Sequence, residues 1–281
     1  MNDIKFSKSR FDTQKKCLGI YHYKYIEKLE TSSVIYPATV IGEAVHYYLE
    51  LFFTQINEEH FNWAKQKINK PTLTYKQFIE KTKLRLFTDV FSEYLDGVKA
   101  DKTKEFRLSR GWKLEDFLKV ADSWVWEILK FLIKLFEYGQ FSSELEFSCK
   151  YKNVEVNGII DLVLQVDEDL YVVDFKTTKD SSTYYFVNWD NDPQSLVYYY
   201  ALWKEKGIKI KKFSYFCFNM ENKTILVNSI EYTKDYTKNF EDIIKKFLVN
   251  HKVSSDKKKW TPSQNNCRWC DFKKQCPVGI K

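Results

Sequence analysis

Two aspartates and a lysine stand in apolar company in the stretch GIIDLVLQVDEDLYVVDFKTT, residues 158 to 178. Asp161 sits within Ile-Ile-Asp-Leu-Val-Leu, and Asp174 and Lys176 within Tyr-Val-Val-Asp-Phe-Lys. An ionised carboxylate among aliphatic neighbours is costly unless a compensating group lies close by. The polar group Asp167-Glu168-Asp169 separates two alternating runs and predicts a tight hairpin turn. With a two-residue loop at 167 and 168, Asp161 lies directly across from Asp174. Opposed residues share a sheet face, with Cβ atoms roughly 5 Å apart, and Lys176 points to the same face as Asp174. Ile160, Leu162, Leu164, Val173 and Phe175 fall on the other face as core.

Two carboxylates at that separation do not both ionise without a cation. A hard divalent ion, Mg²⁺ or Mn²⁺, resolves the conflict, because carboxylate and water oxygens are the ligands it selects. Beside it, the Lys176 ammonium can orient an attacking water or help deprotonate it, and can stabilise charge on a phosphate. Two alternatives stay open: a one-residue slip of register, which separates the carboxylates, and a plain Asp174–Lys176 surface pair. The flanking apolar runs and the second aspartate favour the metal. Glu144 and Glu146, in SSELEFSCKY, add carboxylates on the preceding strand and share one face by alternation. Glu146 is the preferred additional group, with a solvated edge strand as the alternative for both.

The elements around this hairpin are legible from periodicity and punctuation. Residues 40–56 have apolar positions at helical spacing, and Thr74 reads as the N-cap of a further helix. A long helical pattern runs to Gly139, and strand-like text occupies 144–176. Asp192 as N-cap, Pro193 at the first helical position and Gly207 as terminator bracket another helix. Strands at 212–220 and 223–232 and a helix over 236–251 follow. This order predicts a single mixed α/β domain over 1–281: an N-terminal segment (1–50), a helical insertion (55–140), an α/β core (141–250) and a C-terminal tail (251–281).

A chain of 281 residues with 44% hydrophobic and 17% aromatic content can bury a substantial core, which excludes a disordered protein. The formal charge of +7 permits a polyanionic partner without requiring one. The N-terminus is polar and unlike a signal peptide. The most apolar stretch, WVWEILKFLIKLF, is interrupted by Glu127, Lys130 and Lys134, so no membrane span is expected and a cytoplasmic location is. No Walker-type phosphate loop occurs, so any helicase partner is a separate chain. Lys- and Arg-rich text at 98–113 and 251–260 offers phosphate contacts, with solvated surface charge as the plainer reading of each run. Nothing indicates an oligomeric state.

Six cysteines are present, at 17, 149, 217, 267, 270 and 276. The tail run CRWCDFKKQC spaces Cys267, Cys270 and Cys276 as metal ligands rather than disulfide partners. Three thiols are one short of a four-ligand site. Cys149 and Cys217 lie in strand-like text and read as core.

Gly158-x-x-Asp161 followed by Asp174-x-Lys176 resembles the signature of PD-(D/E)XK nucleases, in their RecB-like branch. His46 in IGEAVHYYLE resembles that family's helix-borne histidine, and Gln194 and Tyr198 its Q-x-x-x-Y motif. The segment FSKSRFDTQKKC resembles its N-terminal motif, with Leu18 standing where the family often has proline after the cysteine. The resemblance implies a restriction-endonuclease-like mixed sheet flanked by helices. It also implies a metal shell of Asp161, Asp174, His46 and the Phe175 carbonyl, with some Mn²⁺ preference, and Gln194 and Tyr198 beside the DNA backbone or the lysine. Cys17 then becomes the fourth ligand of a 4Fe–4S cluster that staples the chain ends, with zinc as runner-up. The implied activity is that of a metal-dependent deoxyribonuclease, an exonuclease on DNA ends or single strands in recombination, repair or CRISPR-type adaptation. A separate helicase, recombination or adaptation protein is an implied partner. The rival readings are a DNA-binding protein with an inactive site and a zinc-stabilised interaction module.

Overall fold

The computed structural model describes residues 4–30, 33–35, 37–70, 73–100, 104–106, 114–137, 139–166, 168–178, 192–219, 224–261, 267 and 270–278. Among them a six-stranded mixed sheet forms the centre, built from β1 (Ile4–Phe6), β4 (Gln140–Tyr151), β5 (Val154–Val166), β6 (Asp169–Thr178), β7 (Ile210–Asn219) and β8 (Ile225–Glu231). β5 pairs antiparallel with β4 along its length, while its other edge is shared by β6 near the hairpin and β1 at the far end. β6 and β7 are parallel and joined through α8 (Pro193–Lys206), and β8 closes the edge. β2 (Ser33–Ile35) and β3 (Lys104–Phe106) make a separate parallel pair.

The two faces of the sheet carry different helices. One is covered by α3 (Pro37–Gln55), α4 (Glu58–Lys67), α5 (Tyr75–Thr82), α6 (Phe87–Ala100) and α7 (Leu114–Leu135), packed on Leu162, Val173, Phe175 and Phe216. The other is covered by α8, α9 (Thr237–Ser254) and α1 (Lys8–Lys16), packed on Val156, Ile160, Val172 and Phe213. Burying both faces explains why the strands read as near-continuous apolar runs. The short helix α2 (Leu18–Tyr21) follows Cys17 and leads into a π-helical turn at His22–Ile26.

The helix boundaries follow the local chemistry. Asp192 accepts the Ser195 N–H at 2.8 Å, Pro193 occupies the first turn, and Gly207 ends α8 with φ +67°. Thr74 and Gln77 form a reciprocal capping box at the start of α5. α7 stops at Leu135, not at Gly139: Lys65 donates to the Phe136 carbonyl at 2.7 Å, and the Phe136 ring turns in to stack on Phe216. The basic run at 98–113 lies largely outside the described residues, as does Asp167 of the hairpin turn.

The hairpin register is the expected one from Leu162↔Val173 to Val166↔Asp169. Ile160 departs from expectation: it packs on the α8/α9 side with Val154 and Val156, whereas Leu162 and Leu164 pack on the α3/α7 side. Residues two apart on a regular strand share a face, so the inward face of β5 reverses at Asp161. β4 reverses alongside it. Phe141 packs on the α3/α7 side, Leu145 and Phe147 on the other, and between them Glu144 takes the left-handed conformation, φ +48°. That conformation is costly for a non-glycine residue and recurs at functional sites.

Candidate active site

The reversal point gathers the polar side chains. Glu144 stands at the β4 position that faces Asp161 in the β4–β5 register, and Asp174 follows Val173, the last β6 residue paired with β5. The backbone ladder is interrupted here: β6 leaves β5 beyond Leu162, and Asp161 Oδ2 accepts the Phe175 N–H at 2.7 Å. On the far side of the fork, Tyr198 of α8 donates its hydroxyl to the Ile159 carbonyl at 2.7 Å. The backbone groups left open by the diverging strands are thus satisfied by side chains.

α3 crosses above this fork. His46 Nδ1 lies 3.5 Å from Asp161 Oδ2, and its ring meets Phe175 edge-on. Oxygens of Glu144 and Asp161 and a ring nitrogen of His46 all lie within 4.8 Å of one another. Glu146, the preferred glutamate in the sequence, is not among them; it is exposed and faces Ile159, two rungs away. The left-handed turn at Glu144 breaks the alternation that would have kept both glutamates on one face, and Glu144 is the carboxylate brought to the cluster.

Asp174 is fully buried, and its two oxygens have different partners. Oδ1 accepts the Gln194 amide, and the Lys176 ammonium pairs with Oδ2. Oδ2 accepts no hydrogen bond of regular geometry among the described residues. Gln194 Nε2 also donates to the Tyr198 hydroxyl at 2.8 Å, and Gln194 Oε1 accepts from Tyr215 at 3.2 Å, which fixes which way the amide points. Lys176 further reaches the Phe175 carbonyl at 3.4 Å. Expected residues Asp161, Asp174, Lys176, His46, Gln194, Tyr198 and Phe175 therefore meet at one place. Tyr215, missed in the sequence, joins them because parallel pairing sets it beside Asp174. Only long-range pairing of β6 with β7 could have signalled it.

The electrostatics separate the two aspartates. Burial pushes the Asp174 carboxyl up to about 7, and the Asp161 charge adds to this while Lys176 opposes it. Burial acts on Asp161 too, but His46, Lys176 and the Phe175 N–H outweigh it and hold that carboxyl below its usual range. Burial and the Asp161 charge raise Glu144. For His46, burial favours the neutral ring, yet the Asp161 carboxylate wins and raises it. The Glu144 and Asp161 carboxylates with the His46 ring nitrogen form a donor set that suits Mg²⁺ or Mn²⁺.

A second group of side chains forms around Cys17, Cys267, Cys270 and Cys276, which line one pocket with Tyr23 and Phe272. Burial raises the Cys270 thiol, and its cysteine neighbours Cys17, Cys276 and Cys267 raise it further. The four thiols suit a thiolate-ligated centre, either a cluster or zinc. Cys217 is buried in the sheet core and Cys149 half-buried against α8, as expected.

A sequence model of the PD-(D/E)XK nuclease superfamily matches residues 5–277. The chain belongs to this superfamily. A crystal structure from Eubacterium rectale, described as a "putative exonuclease", is similar in fold, with TM-score 0.55 and 13% identity over 100% of this chain and 91% of that one. The protein SSO0001 aligns at 10% identity and TM-score 0.35, covering 98% and 96%. No curated protein matches the chain. Superfamily membership accords with the mixed sheet and with carboxylates placed where β5 and β6 diverge. Among the described residues, no helix is long and apolar enough to cross a membrane.

Proposed function

We propose that this nuclease is a metal-dependent deoxyribonuclease whose site comprises Glu144, Asp161, Asp174, Lys176 and His46. The observation that carries the reading is the convergence of Glu144 and Asp161 with His46, beside the buried Asp174–Lys176 pair. Glu144, Asp161, Asp174 and His46 would hold Mg²⁺ or Mn²⁺, which polarises a phosphodiester and acidifies bound water. Lys176, its ammonium paired with Asp174 Oδ2, would orient the attacking water and balance charge on the phosphate. Gln194, with its amide fixed by Tyr198 and Tyr215, keeps Asp174 Oδ1 occupied and leaves Oδ2 to the Lys176 ammonium. The Phe175 N–H holds Asp161 in the same way.

The exonuclease reading rests on two supports. The Eubacterium rectale protein bears that description, and a stripe of α3 walls one side of the cleft beside His46. The proposed RecB-like assignment adds a 4Fe–4S cluster on Cys17, Cys267, Cys270 and Cys276, tying α1 and α2 to the tail; the convergence of these thiols supports it. Zinc on the same thiols is the second reading. Recombination, repair or adaptation is the proposed setting, with DNA as partner. Anaerobically purified protein tested on linear and circular DNA, with its iron and zinc content measured, decides these points. Iron with cutting confined to linear DNA supports the proposal; cutting of closed circles removes the exonuclease reading, and zinc alone removes the cluster.

A further inference from the structure

A cleft of about 490 Å³ opens directly beside the carboxylate cluster. One wall is a stripe of α3: Thr39, Gly42, Glu43, His46, Tyr47 and Glu50. Glu144 and Thr177 form the opposite side. Gly42 lets the helix sit close to β6, since a Cβ there would lie 3.0 Å from the Thr177 hydroxyl. The volume falls within the roughly 300–1,000 Å³ of small-ligand sites.

The chemistry of this lining is uneven. Glu43, Glu50 and Glu144 repel phosphate wherever no cation is bound, so a nucleotide entering the cleft presents its base, not its backbone, to the α3 wall. Tyr47, the residue after His46, is instead 44% exposed and is one of the few large apolar side chains left open to solvent among the described residues. Its ring offers a flat face next to the proposed point of cutting. Nucleobases stack on such rings with little regard to sequence. Inside a duplex both faces of a base are covered by its neighbours, so the ring takes a nucleotide that has left the stack.

We propose that Tyr47 is a base-stacking residue and that this cleft receives the unpaired nucleotide adjacent to the phosphodiester being cut. This rests on the nuclease reading above. Tyr47 would contribute through its ring and not its hydroxyl.

The test compares wild type, Tyr47→Ala and Tyr47→Phe on labelled single-stranded oligonucleotides. Binding is read by fluorescence anisotropy in Ca²⁺ and cleavage in Mn²⁺. Because Tyr47 is exposed, Tyr47→Ala is expected to keep the wild-type melting temperature. The expected result is about a tenfold loss of affinity and a matching rise in KM for Tyr47→Ala, with Tyr47→Phe within about twofold of wild type. An abasic site moved along the oligonucleotide should weaken wild type at one position by the same factor and leave Tyr47→Ala unaffected there. Equal single-strand binding by wild type and Tyr47→Ala overturns the proposal, as does equal sensitivity to every abasic position. Tyr47-dependent binding without any cleavage upholds the stacking contact and removes the nuclease reading instead.

Discussion

Asp161 Oδ2 accepts the Phe175 N–H at 2.7 Å, at the point where β6 leaves β5. One side chain thereby closes the backbone hydrogen bonding of a fork and stays in a position to bind a metal. The same economy holds on the other side, where Tyr198 caps the Ile159 carbonyl and receives the Gln194 amide. Substitutions at this fork therefore affect stability and activity together, and by separable amounts.

Glu144 and Glu146 provide a direct contrast. Glu144→Gln is expected to lower Mn²⁺-dependent kcat by about 100-fold or more, in the range of lost metal or charge-stabilising contacts. Glu146→Gln, exposed across from Ile159, is expected to change it by less than about twofold, as surface substitutions do. Steady-state kinetics on one DNA substrate measures both. The reverse order would return Glu146 to the site.

Tyr198→Phe removes a hydroxyl that donates to Ile159 and accepts from Gln194. The Ile159 carbonyl then loses that part-buried hydrogen bond, at a cost of about 1 kcal/mol. Urea denaturation is expected to show this loss, with a lower kcat and a nearly constant KM because Asp174 is less well held. Unchanged stability would mean that Tyr198 holds nothing.

Gly158 lies under the Phe147 ring, and a Cβ there would come 2.7 Å from Phe147 Cζ. Phe147 in turn packs edge-on against Tyr198. Gly158→Ala is expected to destabilise the protein by about 1–3 kcal/mol through overpacking. Adding Phe147→Leu should recover part of that loss, since the obstructing ring is gone. Additive losses in the double variant would contradict this arrangement.

Stability should depend on pH and metal together. Folding raises the titration points of Asp174, Glu144 and His46. Their contribution is complete below the unfolded values, about 4 for the carboxyls and about 6.5 for histidine, and is lost as pH rises through the folded ones. Asp161, held low, has the opposite sign, but its contribution fades only at more acidic pH. Metal-free protein should therefore melt at a lower temperature at pH 8 than at pH 6. At the proposed centre Mn²⁺ would bind the deprotonated side chains, so its stabilising shift should be larger at pH 8. Thermal denaturation in EDTA and in Mn²⁺ at both pH values tests this; equal shifts would contradict it.

Much of this was legible in the sequence where the signals are local. The hairpin register followed from a short polar turn between alternating runs, and α8 from Asp192, Pro193 and Gly207. The face reversal was not legible: it depends on the left-handed Glu144 and on the strands parting at Asp161, which tertiary packing imposes. This is why Ile160 and Glu146 were assigned to the wrong surroundings. β1 is three residues long and pairs with β5 across some 150 positions of sequence, so no nearby pattern announces it. The spacing of Cys267, Cys270 and Cys276 indicated a thiolate site, but the pocket shared with Cys17 is a tertiary fact.

The most direct test compares wild type with Asp174→Asn, an isosteric change that removes the buried charge and a proposed metal ligand. Cleavage of DNA is measured with Mn²⁺, with Mg²⁺ and with EDTA, beside the melting temperature of each metal-free protein. The expected result is metal-dependent cleavage by wild type, none by Asp174→Asn, and a melting temperature for the metal-free variant equal to or above that of wild type. Cleavage retained by Asp174→Asn, or cleavage by wild type in EDTA, would contradict the proposed centre.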